Sequence, residues 1–273
     1  MSPTWGIPLR GARRAARMVS FAAAAVLVLA GCAESADQPG SVTGTAPAAQ
    51  TLTVFAAASL TSTFAEIAEQ FEAAHPGVTV TLNFAGSADL VSQISEGAPA
   101  DVIATADGAT MAALAGDGLL AEAGSTVFAT NTLEIAVPRG NPAGIRSFAD
   151  LAAPGLNLVV CAPQVPCGAA TEAVAEAAGV DLEPVSEENS VTDVLGKVQS
   201  AEADAGLVYV TDVETAGGDV LGIPFDESTA AVNEYPIAVV AGSARARLAA
   251  DFTRLVSGEA GQAVLAEAGF GAP

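Results

Sequence analysis

The sequence predicts a two-lobed α/β protein, and three observations lead there. The spacing of its apolar residues switches repeatedly between two and about 3.6, the periods of strand and helix. These switches fall into two βα clusters. Two extended apolar runs, residues 126–138 and 234–240, read as crossovers between them. The second lobe would thus be inserted into the first, with the C-terminal helices returning to lobe one. After a polar N-terminal stretch about 220 residues remain, enough for one large or two small α/β domains.

Leu52 to Phe55 reads as the first strand. Leu60, Phe64, Ile67 and Phe71 follow at i, i+4, i+7 and i+11, one face of a helix that Pro76-Gly77 stops. Val78 to Phe84 is the second strand, and Leu90 and Ile94 mark the second helix. Asp101 to Ala106 is the third strand, and Gly108 to Leu114 the third helix. This alternation implies a parallel sheet with helices on both faces. The extended run Thr126–Pro138 leads into a turn-rich loop and a short helix, SFADLAAPGL, capped by Ser147. A second series comprises the strand NLVVCA, a helix over Gly168–Ala178, a helix over Val191–Ala203 capped by Ser190, and the strand Ala205–Val210. Helices over Ala244–Val256 and Glu259–Ala268 close the chain.

Two of the strand-to-helix turns point to function. Ser59, in TLTVFAAASLTST, and Ser87, in NFAGSADL, each present a hydroxyl beside the unpaired N–H groups of a helix's first turn. Such a turn is an anion site that needs no lysine or arginine. One serine there is ordinarily only a cap. Two in consecutive βα units, at the same end of one sheet, favour a ligand, because open α/β sheets bind ligands beyond the carboxyl ends of their strands. The chain contains no P-loop, GxGxxG, HExxH or GxSxG pattern.

The N-terminus has the form of a targeting segment. Arg10, Arg13, Arg14 and Arg17 precede an apolar run, Met18–Ala30, too short to span a bilayer. It ends in Leu29-Ala30-Gly31-Cys32, similar to a bacterial lipobox, so residues 1–31 are expected to be a signal peptide and Cys32 a lipidated N-terminus. A non-lipidated signal peptide is the alternative. Residues 32–50 then read as a lipidated cysteine and a flexible, Pro/Gly-rich tether. Beyond the leader stand 6 basic residues against 31 acidic ones, a formal charge of −25. That excludes nucleic acid as a partner. It also requires any anion site to work through short-range, directional donors. Cys161 and Cys167 flank one loop, and outside the cytoplasm such a pair is expected to be bridged. The competing reading makes Cys167 a nucleophile at a helix N-terminus. His75, the sole histidine, reads as a surface turn residue.

The runs VFAAASLTSTFAEIAEQF, FAGSADLVSQISEGAPADVIATAD, APQVPCG, GLVYVTDV and EYPIAVV…GFGAP together resemble the molybdate-binding proteins of bacterial ABC transporters, in order over residues 51–271. The resemblance implies a class II periplasmic-binding-protein fold with the ligand cleft between lobes. Lobe 1 would comprise residues 51–132 plus 236–273, and lobe 2 residues 133–235. It implies one tetrahedral oxyanion, molybdate or tungstate, and no cofactor. Ser59 and Ser87 would each donate a hydroxyl and a backbone N–H, Cys167 and Val191 a backbone N–H, and Tyr209 its phenolic O–H, with no direct ligand to the metal itself. Tyr235, in the crossover, is expected to be structural.

All four non-tyrosine positions are predicted helix starts, each carrying an effective charge of roughly +0.5. A Cys161–Cys167 bridge would pre-organise the loop that donates the Cys167 N–H. The implied protein is no enzyme. It is a monomeric, extracytoplasmic lipoprotein held to the cell membrane only by Cys32, passing its anion to an ABC permease. Three alternatives stay open: the same fold tuned to sulfate or phosphate, a secreted hydrolase using Ser59 or Cys167, and an adhesion or scaffold lipoprotein.

Overall fold

In the computed structural model, which describes residues 49–273, strand β1 (Gln50–Ala57) organises the first sheet. Its side chains alternate between faces, as strand geometry requires. Leu52, Val54 and Ala56 join a core with Leu60, Phe64, Ile67 and Phe71, all fully buried. Phe55 faces the other way, into a separate cluster with Leu90, Ile94, Ile103, Met111 and Leu114. Helix α1 (Thr61–Ala74) buries the predicted apolar stripe, and its Phe64 and Phe71 pack edge-on against Phe252 at 6.0 and 5.3 Å. His75 ends that helix, stacked on Phe71 at 4.0 Å. Then follow β2 (Val78–Ala85), α2 (Ser87–Ser95), β3 (Val102–Ala104) and α3 (Gly108–Gly116).

The long extended run is two strands, β4 (Leu120–Asn131) and β5 (Leu133–Pro138), and the chain changes sheet at Thr132 between them. The second series comprises β6 (Leu158–Cys161), α4 (Pro166–Ala178), β7 (Ser186–Glu188), α5 (Val191–Gln199), β8 (Ala205–Tyr209), α6 (Val210–Ala216) and β9 (Val220–Ile223). Strand β10 (Asn233–Val240) returns to the first sheet, and α7 (Ala246–Ser257) and α8 (Glu259–Glu267) pack with α1.

The two sheets share one plan. Their strand orders are β2-β1-β3-β10-β4 and β7-β6-β8-β5-β9. In each, the first three strands are parallel, and a crossover strand, β10 or β5, then pairs antiparallel on both its sides. The expectation of a purely parallel sheet is corrected accordingly. Strands that return directly from the other sheet enter against the parallel direction.

Several elements differ from the sequence expectation for physical reasons. Helix α4 begins at Pro166, before the expected Gly168, because a proline fits the first helical position where no N–H is needed. Strand β8 ends at Tyr209, and an unforeseen helix, α6, starts at once. Its sequence VTDVETA is rich in β-branched residues and weakly helical by propensity. The Asp212 carboxylate supports it by accepting from Tyr209 N–H at 2.9 Å. Strand β7 (SEE) is polar and β9 (VLGI) very short, so neither carries a readable period. Phe148–Ala152 is a 3₁₀ turn, with Ser147 at its N-cap as expected. The expected signal peptide, Cys32 and most of the expected tether lie outside the described residues.

Candidate anion-binding site

The strand ends of both sheets meet at one small cavity. On the first side it is lined by Ala57, Ala58 and Ser59 after β1, Gly86 and Ser87 after β2, and Ala106 after β3. On the second it is lined by Val165, Pro166 and Cys167 after β6, Asn189 and Val191 after β7, and Tyr209 at the end of β8. All five sequence-predicted residues, Ser59, Ser87, Cys167, Val191 and Tyr209, are therefore brought together. The cavity is small in this arrangement, with about 10 Å3 for the centre of a water-sized sphere, so only a compact solute fits without the two sides moving apart. None of the lining residues carries a formal charge.

The two serines occupy helix starts, yet neither caps its helix. Ser59 lies in a 3₁₀ turn, Ala58–Leu60, that precedes α1, so it is one turn earlier than the expected helix start. Its Oγ lies 3.0 Å from the Tyr235 hydroxyl. Ser87 is the first residue of α2, and its Oγ accepts from Ala106 N–H at 3.0 Å. Ser190 behaves differently: its Oγ accepts from Asp193 N–H at 3.2 Å and caps α5. The hydroxyl of Ser87 thus keeps its proton available to an occupant, and that of Ser59 does so when Tyr235 is the donor of their shared hydrogen bond.

Tyr209 is the sharpest feature. Its ring is buried, and its hydroxyl has no hydrogen-bond partner among the described residues. A buried unpartnered phenol costs about 1–3 kcal/mol unless something in the cavity accepts from it. Burial, reinforced by Tyr235 and Asp212, pushes its pKa well above the usual phenol value, so it stays a donor. Behind it, burial raises the Asp212 carboxyl from 3.8 to about 7, against the opposing pull of the Tyr209 N–H.

Backbone donors complete the set. Cys167 and Val191 lie in the first turns of α4 and α5, where N–H groups have no intrahelical acceptor. Cys161 and Cys167 are joined in a disulfide with Cα atoms 5.6 Å apart, which closes the loop before α4. Gly168 then packs so tightly that a Cβ would stand 1.9 Å from Ala162 O. The Lys197 ammonium pairs with Glu188 and bonds Ser186 at 2.9 Å, bracing β7 just before the α5 start. Across the cavity, a Cβ on Gly86 would stand 2.0 Å from Asn189 O. Gly86 has φ −58°, so glycine is required there by close approach of the two sides and not by backbone conformation.

Tyr235 is buried in the core and does not line the cavity, in keeping with a structural residue, but its contact with Ser59 was not foreseen, nor were Ala106, Gly86 and Asn189 in the lining. A buried tyrosine demands a partner for its hydroxyl, but only the fold reveals that the partner is Ser59, 176 residues away. The disulfide removes the free thiol that a Cys167 nucleophile would need.

Comparison with known proteins agrees with this geometry. Residues 52–271 match the family described as bacterial extracellular solute-binding protein. Over 256 residues the chain is 48% identical to the molybdate-binding protein ModA of Mycobacterium tuberculosis, covering 94% of this chain and 97% of that protein. The periplasmic molybdate-binding protein of Azotobacter vinelandii superimposes with a TM-score of 0.70 at 22% identity, covering 81% of this chain and 99% of that one. The sulfate-binding protein SubI of M. tuberculosis superimposes at 0.66 with 24% identity, covering 81% and 86%, so the fold alone does not choose the anion. The chain belongs to the bacterial extracellular solute-binding protein family, among the relatives named molybdate-binding protein ModA, and it is a solute-binding protein rather than an enzyme.

Proposed function

We propose that this protein captures molybdate, and equally tungstate, and delivers it to an ABC permease. The observation that carries the reading is the convergence of three proton-bearing hydroxyls, from Ser59, Ser87 and Tyr209, with helix N-termini on a cavity lined by no charged side chain. The Tyr209 proton has no acceptor among the described residues, the Ser87 oxygen already accepts from Ala106 N–H, and Ser59 is free to donate when Tyr235 donates to it, so the occupant that fits must offer lone pairs on several oxygens. A tetrahedral oxyanion that is fully deprotonated at neutral pH does this. Hydrogen phosphate brings a proton of its own, and no carboxylate lines the cavity to accept it. The backbone N–H groups of Cys167 and Val191 supply the remaining donors. Helix dipoles, each worth roughly half a charge, offset the dianion. The near relatives named for molybdate support that anion over sulfate.

The ligand set is accordingly Ser59, Ser87, Cys167, Val191 and Tyr209. The lobes divide after residue 132 and again near 235, shortly after β10 has re-entered the first sheet, and their closure buries the anion and forms the surface the permease recognises. The protein acts as an extracytoplasmic monomer tethered through a lipidated Cys32. A thermal-shift screen of oxyanions tests the reading, since a tight ligand raises the melting temperature. Molybdate and tungstate are expected to stabilise the protein most. Greater stabilisation by sulfate would move the assignment to that anion, and stabilisation by none would favour a scaffold role.

A further inference from the structure

The cavity's three hydroxyls are not equivalent, because each is backed differently. Ser87 accepts from a backbone N–H, and Tyr209 has no hydrogen-bond partner among the described residues. Ser59 alone is backed by another side-chain hydroxyl, that of Tyr235 on β10. Tyr235 is fully buried, and its ring is clamped edge-on by Phe270 at 5.3 Å, Tyr209 at 5.9 Å and Phe128 at 6.3 Å. Its hydroxyl therefore has little freedom to seek another partner. Among the described residues its one hydrogen-bond partner is Ser59 Oγ.

The 3.0 Å contact could in principle run either way. If Ser59 donated to Tyr235, the phenolic proton would be left without a hydrogen bond among the described residues, because the Asn131 and Tyr209 side chains, though near enough to act on its pKa, make none with it. If Tyr235 donates to Ser59, every proton is placed: the phenol's on Ser59 Oγ and the serine's into the cavity. We propose that Tyr235 is a positioning residue that holds Ser59 in its donor orientation and thereby tunes the site toward fully deprotonated oxyanions. Burial pushes the Tyr235 phenol up, which keeps the proton on it. An anion carrying its own O–H would have to use the remaining lone pair of Ser59. That rotation would swing the serine proton away from the anion, toward no acceptor. Without the Tyr235 hydroxyl, Ser59 becomes a free rotor able to donate or accept. The inference rests on the proposed anion site and adds to it a residue that never touches the ligand.

A double-mutant cycle read by calorimetry tests it, using wild type, Ser59→Ala, Tyr235→Phe and the double variant, titrated with molybdate and with phosphate. Tyr235→Phe is expected to weaken molybdate binding by about tenfold, the scale of one lost hydrogen-bond contribution. It is also expected to narrow the preference for molybdate over phosphate. In the Ser59→Ala background the same substitution should change molybdate affinity less than about twofold, because its effect passes through Ser59. Equal losses in both backgrounds, or an undiminished affinity in Tyr235→Phe, would overturn the proposal, as would equal weakening of both anions.

If wild type prefers another oxyanion, the anion assignment fails and the cycle is run and judged with that anion. If wild type binds none, both readings fall. Should Tyr235→Phe not fold, tyrosine-selective NMR decides, since the chain has only 2 tyrosines. A slowly exchanging Tyr235 hydroxyl proton that contacts Ser59 and becomes fast in Ser59→Ala supports the proposal. Equal exchange in both proteins overturns it.

Discussion

Ser59 and Ser87 show how much a hydroxyl's second partner matters. A serine at a helix start is usually a cap, and Ser190 in this chain is one. Ser87 accepts from Ala106 N–H instead, and in the proposed arrangement Ser59 accepts from Tyr235, so that both keep their protons for the cavity. Tyr209 makes the strongest single claim, because its buried hydroxyl is unpartnered. Tyr209→Phe is expected to lower molybdate affinity by roughly tenfold to a hundredfold, the worth of about 1–3 kcal/mol. Calorimetry on the pair checks this, and unchanged affinity would remove Tyr209 from the ligand set. The same substitution should not reduce folding stability, since it deletes an unsatisfied buried group. Asp212 is tested by pH. Its folded pKa is about 7 against an ordinary 3.8. A raised folded-state pKa contributes stability below the unfolded value, and that contribution is lost as pH rises through about 7. Asp212→Asn, which keeps an acceptor for Tyr209 N–H, should therefore gain melting temperature over wild type at about pH 8 relative to about pH 5. An equal difference at both pH values would contradict this. Ser87 in FAGS and Tyr209 in LVYV were legible in the sequence as candidates, and the structure brings both to the cavity. The pairing of Tyr235 with Ser59 was not legible, because the two lie far apart in the sequence.

At the scale of elements, the site is built from the starts of helices and the loops that aim them. Strand-to-helix junctions were readable wherever an apolar period changed, which placed β1, α1, β2, α2 and β8 well. Helix α6 escaped because tertiary contacts and the Asp212–Tyr209 bond, not propensity, sustain it. Strand β7 escaped because its three residues are polar. The glycine of FAGS was visible, but its purpose was not. Gly86 lets the α2 start approach Asn189 O across the cavity. Gly86→Ala places a methyl group in that contact, and overpacking of this kind costs about 1–3 kcal/mol. We expect molybdate affinity to fall about tenfold or more while the free protein's melting temperature changes little, because the two sides can relax apart when no anion bridges them. Wild-type affinity in this variant would show that the approach is not needed for binding. The disulfide acts on the opposite side. A Cys161→Ser, Cys167→Ser variant should lose about 2 kcal/mol of stability, as expected for so short a loop. It should bind molybdate more weakly, yet still bind, because the donor proposed at position 167 is a backbone N–H. Loss of all binding would mean that the bridge does more than order the loop.

The whole molecule joins a strongly acidic chain to a ligand that is itself an anion. With 31 acidic residues against 10 basic ones, long-range electrostatics oppose binding, so affinity must come from contacts made after the anion is enclosed. The architecture meets that demand by placing the strand ends of two similar sheets face to face. Neutral donors from both sides then converge on one small cavity. The two-lobed plan was legible from the two βα clusters and their extended crossovers. The antiparallel entry of β5 and β10 was not, because strand direction within a sheet leaves no mark on apolar periodicity. The choice among tetrahedral anions depends on proton placement and on cavity size, and both are whole-site properties. Calorimetric titration of the wild-type protein with molybdate, tungstate, sulfate and phosphate near neutral pH is the direct test. One anion bound per chain, with molybdate and tungstate far ahead of sulfate and phosphate, is the expected result. A preference for sulfate or phosphate, or no binding of any of the four, would contradict the assignment.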